Sequence, residues 1–186
     1  MRLMLKNVRL AFPAIFQPAA VGDGQPAYGG KLILDPKASY VEEIRKAIQS
    51  VAEEKWKDKA ADILKKLKDD KRICFVEGPY TDKDGKVYDG FEGKFSLSTR
   101  NPKVKPKALN KHGKEVSEED GVIYAGCYVH ASVEFWAQDN EWGRRINCNL
   151  RGVMFAGDGD SFGGGTAASA DEFSDLAVAE DEDDMF

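Results

Sequence analysis

The chain has 186 residues, of which 42% are hydrophobic and 32% charged, and its formal net charge at pH 7 is −5. This length suits one compact domain with a hydrophobic core, and the lack of any run of about 18 apolar residues argues against a membrane-spanning helix. Charges at Arg2 and Lys6 interrupt the N-terminus too early for a signal peptide, so we expect a cytosolic protein.

The charges are divided unevenly between two parts of the chain. Residues 157–186 contain ten of the 32 acidic residues and no Lys or Arg, which leaves 27 basic and 22 acidic residues in 1–156. The first part therefore carries +5 and the second −10. This asymmetry predicts a surface that meets polyanions, joined to an acidic peptide that competes for that surface or recruits another protein.

The first half of the chain is predicted to form two strands and then two helices. Residues 2–12 and 28–34 have the composition of strands, and a segment rich in Pro and Gly separates them. Apolar residues then recur at steps of three and four within 41–52 and again within 63–67. This period predicts one long and one short amphipathic helix that cover a sheet.

The second half of the chain is predicted to be mostly strand. Short strands are expected at 72–77 and 91–100 with a polar loop between them, and the aperiodic residues 101–121 are expected to form a long loop. The strongest hairpin signal is the alternation in 124–137 and 144–155. Six strands with inserted helices predict a mainly β fold, a small antiparallel barrel with one or two inserted α-helices. The nearest common architecture is the five-stranded oligonucleotide-binding barrel, the OB-fold.

Alternation divides each strand of the predicted hairpin into two faces. In 124–137 one face is apolar and predicts the core, whereas the other mixes aromatic and polar residues: Tyr124, Gly126, Tyr128, His130, Ser132, Glu134 and Trp136. The inward residues of the second strand are expected to be Ile146, Cys148, Leu150 and Met154. Its outward residues are expected to be Arg145, Asn147, Asn149 and Arg151. Because neighbouring strands share faces, the rings should lie beside the Arg and Asn side chains.

The polar face has the chemistry that single-stranded nucleic acid requires. Flat rings stack on bases, while cations and amides hold phosphates and base edges. The strand at 91–100 adds Lys94, Ser96, Ser98 and Arg100 opposite an apolar set. The residues predicted to bind DNA from these strands are Tyr124, Tyr128, His130, Trp136, Lys94, Arg100, Arg145, Asn147, Asn149 and Arg151. The alternative is that the aromatic residues form a second small core beneath the long loop or the helices.

The predicted long loop is strongly basic. Fifteen residues without one acidic side chain contain Arg100, Lys103, Lys105, Lys107, Lys111 and Lys114, and two prolines keep this segment extended. Such a loop can follow a phosphate backbone, and each contact contributes a log–log salt slope of about −0.7. We therefore predict phosphate contacts at Lys103, Lys105 and Lys107. The alternative is a loop that is basic for solubility alone.

Residues 157–186 are predicted to be a disordered, flexible acidic tail that follows a domain of residues 1–156. Gly163–Gly165 and the small residues after them are typical of a linker, and the acidic stretch cannot bury enough apolar surface to fold. The chain ends with Asp183, Asp184, Met185 and Phe186. This end suits a partner pocket that is apolar at its base and basic at its rim. A purely solubilising tail is the alternative.

No catalytic arrangement is recognisable, and we predict neither an enzyme nor a cofactor or metal site. His112 and His130 have no evident nucleophile partner, and the three cysteines lack a zinc spacing. Asp158 and Asp160 resemble the opening of a calcium loop, but Phe162 stands at the third ligand position.

Several segments resemble one protein family. They are Leu5–Pro13, Tyr28–Leu34, Arg100–Pro102 and Tyr124–Val129, in which Gly126-Cys127-Tyr128-Val129 is the most distinctive. Across most of residues 3–162 the chain resembles the bacteriophage single-stranded-DNA-binding proteins of the OB-fold type. Its Asp-Asp-Met-Phe ending is similar to the acidic, Phe-terminated tails through which such proteins engage partner enzymes.

The resemblance implies a protein that coats single-stranded DNA without sequence preference during phage replication, recombination and repair, in the cytoplasm of the bacterial host. Its tail would engage replication or recombination proteins and compete with DNA. One alternative is an acidic-tailed adaptor for such enzymes, and another is a metal-dependent nuclease that uses Glu and Asp near the basic surface. A homo-oligomer is also left open.

Overall fold

The computed structural model describes residues 1–162 and Leu176, and it shows a mainly β fold with helices inserted after the second strand. The strands are β1 (Arg2–Ala19), β2 (Ala27–Leu34), β3 (Phe75–Val76), β4 (Phe95–Asn101), β5 (Lys107–Leu109), β6 (Tyr128–Asn140) and β7 (Gly143–Gly157). The helices are α1 (Tyr40–Trp56) and α2 (Ala60–Asp69), joined by a 3-10 turn at Lys57–Lys59. The predicted fold class is confirmed.

The strands form one sheet in the order β3-β4-β2-β1-β6-β7-β5. The long strands pair antiparallel, and only the short β5 runs parallel to its neighbour β7. The residues just before β3 bridge β4 and β7, which lie towards opposite ends of the sheet. Cys74 accepts a hydrogen bond from Ser98 N of β4 at 2.9 Å and donates one to Ile146 O of β7 at 3.0 Å. The five long strands therefore close into a small barrel, as the OB-fold prediction requires.

The core fills the barrel and continues beneath α1. On β6, Val129, Ala131, Val133 and Phe135 are completely buried. Every residue that the helical period placed inward on α1 is buried in the same core, namely Val41, Ile44, Ile48, Val51 and Ala52. The last residue of the helix is fastened to the hairpin, because Trp56 Nε1 donates to the Asp139 carboxylate at 2.8 Å. Of the helices that the structure describes, none is long and apolar enough to cross a membrane.

Several predicted elements differ from the structure in their extent. The strands expected at 91–100 and 124–137 begin only at Phe95 and Tyr128, so Tyr124 and Gly126 precede β6. The first strand does not stop at residue 12, because Pro13 lies in a β-bulge, where a strand tolerates a residue without an N–H donor. The strand expected at 72–77 is reduced to two residues. The segment 101–121 is not wholly loop, since it contains β5. Hydrophobic periodicity could not predict so short a strand, whose pairing with β7 is long-range.

The prediction that Met154 points inward is wrong. Val133 pairs with Leu150, and Ser132 pairs with Gly152, so that Arg151 is an extra residue in β7. This bulge shifts the alternation by one position. Val153 is consequently buried, whereas Met154 stands opposite His130 on the other face of the hairpin.

Candidate nucleic-acid interface

The side of β4, β2, β1, β6 and β7 that points away from the barrel interior is called the outer face here. On β6 and β7 it combines rings with amides and guanidinium groups. Trp136 pairs with Asn147 in the register of the two strands, and its Nε1 donates to Asn149 Oδ1 at 3.2 Å. The predicted juxtaposition of aromatic and Asn side chains is therefore present in the hairpin.

The rings on β6 are not a second core. Trp136 is 40% exposed, and Tyr128 and His130 are half-buried. Phe135, which points into the barrel from the opposite side of β6, has no exposed surface. His130 Nδ1 accepts a hydrogen bond from the backbone N–H of Asn7 at 3.1 Å. The neutral ring then carries its proton on Nε2, where it is a hydrogen-bond donor. The alternative of a second core does not hold for this hairpin.

A single carboxylate positions two guanidinium groups on the outer face. Glu134 lies 3.4 Å from Arg2 Nε and 3.5 Å from Arg151 Nε. All three side chains are more than a third exposed, so these ion pairs contribute little to stability. They hold the guanidinium groups of Arg2 and Arg151 side by side, and the three charged groups together carry a net charge of +1. Arg145, near the start of β7, is exposed and pairs in register with Gln138.

Arg9 of β1 is a central residue of the outer face that sequence analysis missed. Its Nε donates to Gly126 O at 3.0 Å, and its Nη2 donates to Asp160 O at 2.7 Å. The guanidinium lies 5.9 Å from the ring centroid of Tyr128 and 4.2 Å from that of Phe162. Both acceptors are backbone carbonyls, so the positive charge is held in place without being neutralised.

Lys31 of β2 was also missed. It stands in register with Ala11 on one side and Ser98 on the other, and its Nζ donates to Ser98 Oγ at 2.6 Å. The ammonium lies 3.9 Å from the centroid of the Tyr80 ring, a cation–π contact. Burial lowers the pKa of Lys31 below the ordinary lysine value. The only signal for this residue was a lysine within an otherwise apolar strand.

Residues 80–91 cover the outer face of β1 and β2, and 80–90 were predicted to be a polar loop. They instead complete a small second core of Ala11, Ile33 and Phe91. The rings of Tyr80 and Tyr88 stack at 4.9 Å with an interplanar angle of 13°. Phe12 meets them edge-on at centroid distances of 5.9 and 5.3 Å. We call Phe12, Tyr80 and Tyr88 the aromatic cluster. Polar residues separate the two tyrosines along the chain, which concealed the cluster from pattern analysis.

The two cations predicted beside β4 lie apart from the hairpin. Lys94 precedes β4 and is exposed, and Arg100 Nη2 donates to Gln25 O at 2.6 Å. Two strands, β2 and β1, separate β4 from β6. The strand predicted at 91–100 therefore does not adjoin the aromatic residues of β6. Arg9 and Lys31 are the cations that lie between them on the outer face of β1 and β2.

The basic loop leaves β4 and returns to the opposite edge of the sheet at β7. Lys107 pairs in register with Gly152, and its Nζ lies 2.6 Å from a carboxylate oxygen of Glu115. This contact raises the pKa of Lys107 and lowers that of Glu115. Lys103 and Lys105 are exposed, and in residues 1–162 neither makes a salt bridge.

The first residues after β7 lie across the outer face. The Tyr124 hydroxyl donates to Asp158 Oδ1 at 2.7 Å and accepts from Gly159 N at 3.2 Å. Phe162 N donates to Ala125 O at 3.0 Å. Gly126 has a φ of +106°, and a Cβ there would lie 2.1 Å from Asp160 O, so only glycine allows this close approach.

Two predictions are affected by this segment. The ring of Tyr124 packs against the main core and holds the segment 157–162, and its predicted contact with DNA stays a prediction. The predicted domain boundary after residue 156 likewise stays a prediction. The residues predicted to bind partners, Asp183, Asp184, Met185 and Phe186, lie outside the described residues. Within residues 1–162, no group of three or more His, Cys, Asp or Glu side chains is arranged to hold a metal ion.

Comparison with known proteins identifies the family. Residues 1–186 match the family model described as the single-stranded-DNA-binding protein of Enterobacter phage Enc34. The chain belongs to this family. A relative, protein p50 of Acyrthosiphon pisum secondary endosymbiont phage 1, is 40% identical over 187 residues and is aligned over 98% of both chains. The predicted family resemblance is confirmed.

Solved structures agree with the family assignment. The single-stranded-DNA-binding protein from bacteriophage Enc34, in complex with single-stranded DNA, matches with a TM-score of 0.65 and 25% identity over 87% of this chain and 89% of that one. The single-stranded-DNA-binding protein gp2.5 of bacteriophage T7 shares the fold, with a TM-score of 0.58 and 14% identity over 96% and 95% of the two chains. The family to which the chain belongs consists of single-stranded-DNA-binding proteins that are not enzymes, so the prediction that the chain is not an enzyme is confirmed.

Proposed function

We propose that the protein binds single-stranded DNA without sequence preference and that the strand lies along the outer face. One observation carries this proposal: on β6 and β7, half-exposed rings stand among amides and guanidinium groups, while the opposite side of the same strands packs in the core. A binding surface of this composition stacks bases and neutralises phosphates. The relative from phage Enc34, whose solved structure contains single-stranded DNA, supports the proposal.

Each group on the outer face has a role set by its chemistry. Trp136, Tyr128 and His130 stack or pack against bases, and Asn147 and Asn149 contact base edges or phosphates. The phosphate ligands are Lys94, Arg100, Lys103, Lys105, Lys107, Arg145 and Arg151, to which we add Arg9 and Lys31. Every base has a flat face and every nucleotide a phosphate, so this set of contacts binds any sequence.

The acidic tail competes with DNA for the outer face. Its first residues already lie there, because Asp160 O accepts a hydrogen bond from Arg9 and the Phe162 ring packs beneath the same guanidinium. The net charge of −10 in residues 157–186 makes the tail a mimic of the polyanionic ligand. Tyr124 becomes free to contact DNA when this segment is displaced.

Displacement of the tail also releases its end for other proteins. Asp183, Asp184, Met185 and Phe186 then bind a replication or recombination protein by inserting the aromatic ring into an apolar pocket with a basic rim. Both roles belong to phage DNA replication, recombination and repair in the cytoplasm of the bacterial host.

The test compares the full-length chain with a form that ends at Phe162, which keeps the contacts of Tyr124 and Arg9. Binding of labelled single- and double-stranded oligonucleotides of equal length is measured by fluorescence anisotropy across a range of salt concentrations. We expect a preference for single strands. We also expect tighter binding by the shorter form at low salt and convergence of the two forms at high salt. Equal affinity for the two kinds of DNA would overturn the binding proposal, and equal affinity of the two forms at low salt would overturn tail competition.

A further inference from the structure

The aromatic cluster occupies a second part of the outer face, remote from Trp136 on the hairpin. Arg2, near the start of β1, pairs with Glu134 beside Trp136, whereas Phe12 lies ten residues further along the same strand. At the usual rise of a strand, this separation is roughly 30 Å. Arg9 and Lys31 lie near the cluster and carry positive charge. A strand that followed β1 from Trp136 would therefore reach the cluster.

Phe12 is presented to solvent by an unusual backbone conformation. Ala11 pairs with Lys31 and Ala14 pairs with Gly29, so Phe12 and Pro13 together oppose the single residue Gly30 in a β-bulge. Phe12 has a φ of +48°, in the left-handed region that bulky residues rarely occupy. Regular alternation would have directed its side chain inward like that of Leu10. The bulge instead directs the ring to the outer face.

Packing does not explain this conformation. The Phe12 side chain is 52% exposed and that of Tyr88 is 37% exposed, so the ring gains only part of the burial that a core phenylalanine has. A glycine would adopt the same φ without strain and is the ordinary residue for such a bulge. Strained positions of this kind are concentrated at binding sites, where the surrounding structure maintains them.

The neighbours of Phe12 identify the chemistry of the ligand. Tyr80 lies beneath Tyr88 as a stacked support, and the Lys31 ammonium lies against Tyr80. Lys31 donates a hydrogen bond to the Ser98 hydroxyl and, within residues 1–162, makes no salt bridge with a carboxylate. Because burial removes water from its ammonium group, an anion that reaches Lys31 would form a charge-assisted hydrogen bond. Planar exposed rings beside such a cation suit a planar, anionic ligand.

We propose that Phe12 and Tyr88 form a second base-stacking site for single-stranded DNA, with Lys31 as the ligand of the adjacent phosphate. The proposal rests on the proposed function and extends it by a site near the middle of β1. A strand held at both Trp136 and Phe12 lies along the whole outer face. It thereby crosses the position that residues 157–162 occupy over Arg9.

The decisive variant is Phe12→Gly, which removes the ring and relieves the backbone at the same time. Its thermal midpoint should stay close to that of the wild type, because relief of the left-handed φ offsets the loss of the buried half of the ring. Its affinity for single-stranded DNA should fall about fivefold or more, the factor that corresponds to loss of one stacked base. Phe12→Trp keeps a flat ring and should retain the affinity.

Lys57→Gly is the matched control. Lys57 also has a positive φ, +54°, but it lies at the end of α1, in the helical layer. The substitution relieves the same kind of strain without touching the aromatic cluster. Lys57→Gly should leave DNA affinity unchanged. Any change in affinity in this variant would measure the effect of relieving backbone strain without removing an aromatic ring.

A strand whose bases are replaced by abasic sites separates stacking from other effects. The difference between wild type and Phe12→Gly should disappear on this strand, because no base remains to stack. The inference is overturned if Phe12→Gly binds the normal strand as tightly as the wild type, and equally if its loss of affinity persists on the abasic strand. Neither result affects the proposed function as long as the wild type prefers single-stranded to double-stranded DNA. If the wild type shows no such preference, the proposed function and the second stacking site are both overturned.

Discussion

The two sides of the β6–β7 hairpin differ sharply although the same two strands form them. Phe135 points inward with no exposed surface, and its neighbour Trp136 points outward with 40% of its side chain exposed. Inward residues pack in the apolar core, whereas outward residues contact amides, guanidinium groups and solvent. Adjacent residues therefore serve different purposes, stability on the inward side and, in our proposal, recognition on the outward side.

Phe135→Ala should give the largest effect, and it should be an effect on stability. Removing a completely buried phenylalanine leaves a cavity and costs about 3–5 kcal/mol of unfolding free energy. Urea denaturation measures this cost. DNA affinity, measured where the variant remains folded, should stay close to that of the wild type. A similar cost for Trp136→Ala would contradict the division between the two sides.

Trp136→Ala should act mainly on binding. Loss of one stacked base weakens the complex by ~1–3 kcal/mol, while the unfolding free energy falls less than in Phe135→Ala because the Trp136 side chain is partly exposed. Fluorescence anisotropy at fixed salt measures the change. Trp142→Ala is the control, since this indole is 75% exposed in the hairpin turn and lies beyond the paired residues of the outer face. Equal effects of the two variants would remove the proposed role of Trp136.

Arg151 and Glu134 offer a pair of substitutions with opposite expected signs. Arg151→Gln removes a phosphate ligand and should reduce the log–log salt slope by about 0.7. Glu134→Gln releases Arg2 and Arg151 from their shared carboxylate and should tighten binding modestly. Affinities measured across salt concentrations test both. If both substitutions weakened binding, the ion pairs would be positioning the guanidinium groups more than they neutralise them.

The smallest expected effect concerns pH and the end of the hairpin. The hydrogen bond from Trp56 and the neighbouring Arg144 lower the pKa of Asp139 below its ordinary value of 3.8. A lowered carboxyl pKa stabilises the fold above the unfolded value, and this contribution is lost as the pH falls through the folded value. Asp139→Asn should therefore flatten the acid dependence of the thermal midpoint below about pH 4. DNA affinity at neutral pH should not change, and an unaltered acid dependence would contradict the assignment.

Local patterns in the sequence were sufficient to predict the hairpin and the helices. Strict alternation from Tyr128 to Trp136 determines which side chains face the core, because successive residues of a strand point to opposite sides. The steps of three and four residues in 41–52 determine the buried side of α1, because residues at this spacing lie on one face of a helix. The acidic ending and the basic loop were evident from composition alone.

Bulges and long-range pairing could not be predicted in this way. Phe12 and Met154 each point to the side opposite to the one that alternation predicts, because an extra residue in β1 or β7 shifts the phase. Nothing in a local pattern specifies where a ladder of hydrogen bonds will skip a residue, since the partner strand decides it.

The sequence by itself determined the barrel strands, the aromatic and polar composition of the hairpin's outward side, and the charge contrast with the tail. Only the tertiary structure brought Arg9 and Lys31 between β4 and β6, stacked Tyr80 on Tyr88, and placed Asp160 and Phe162 over Arg9. The physical reason is that alternation and helical periods are properties of neighbouring residues. The outer face is assembled instead from strands that are distant in the chain and adjacent only after the barrel closes.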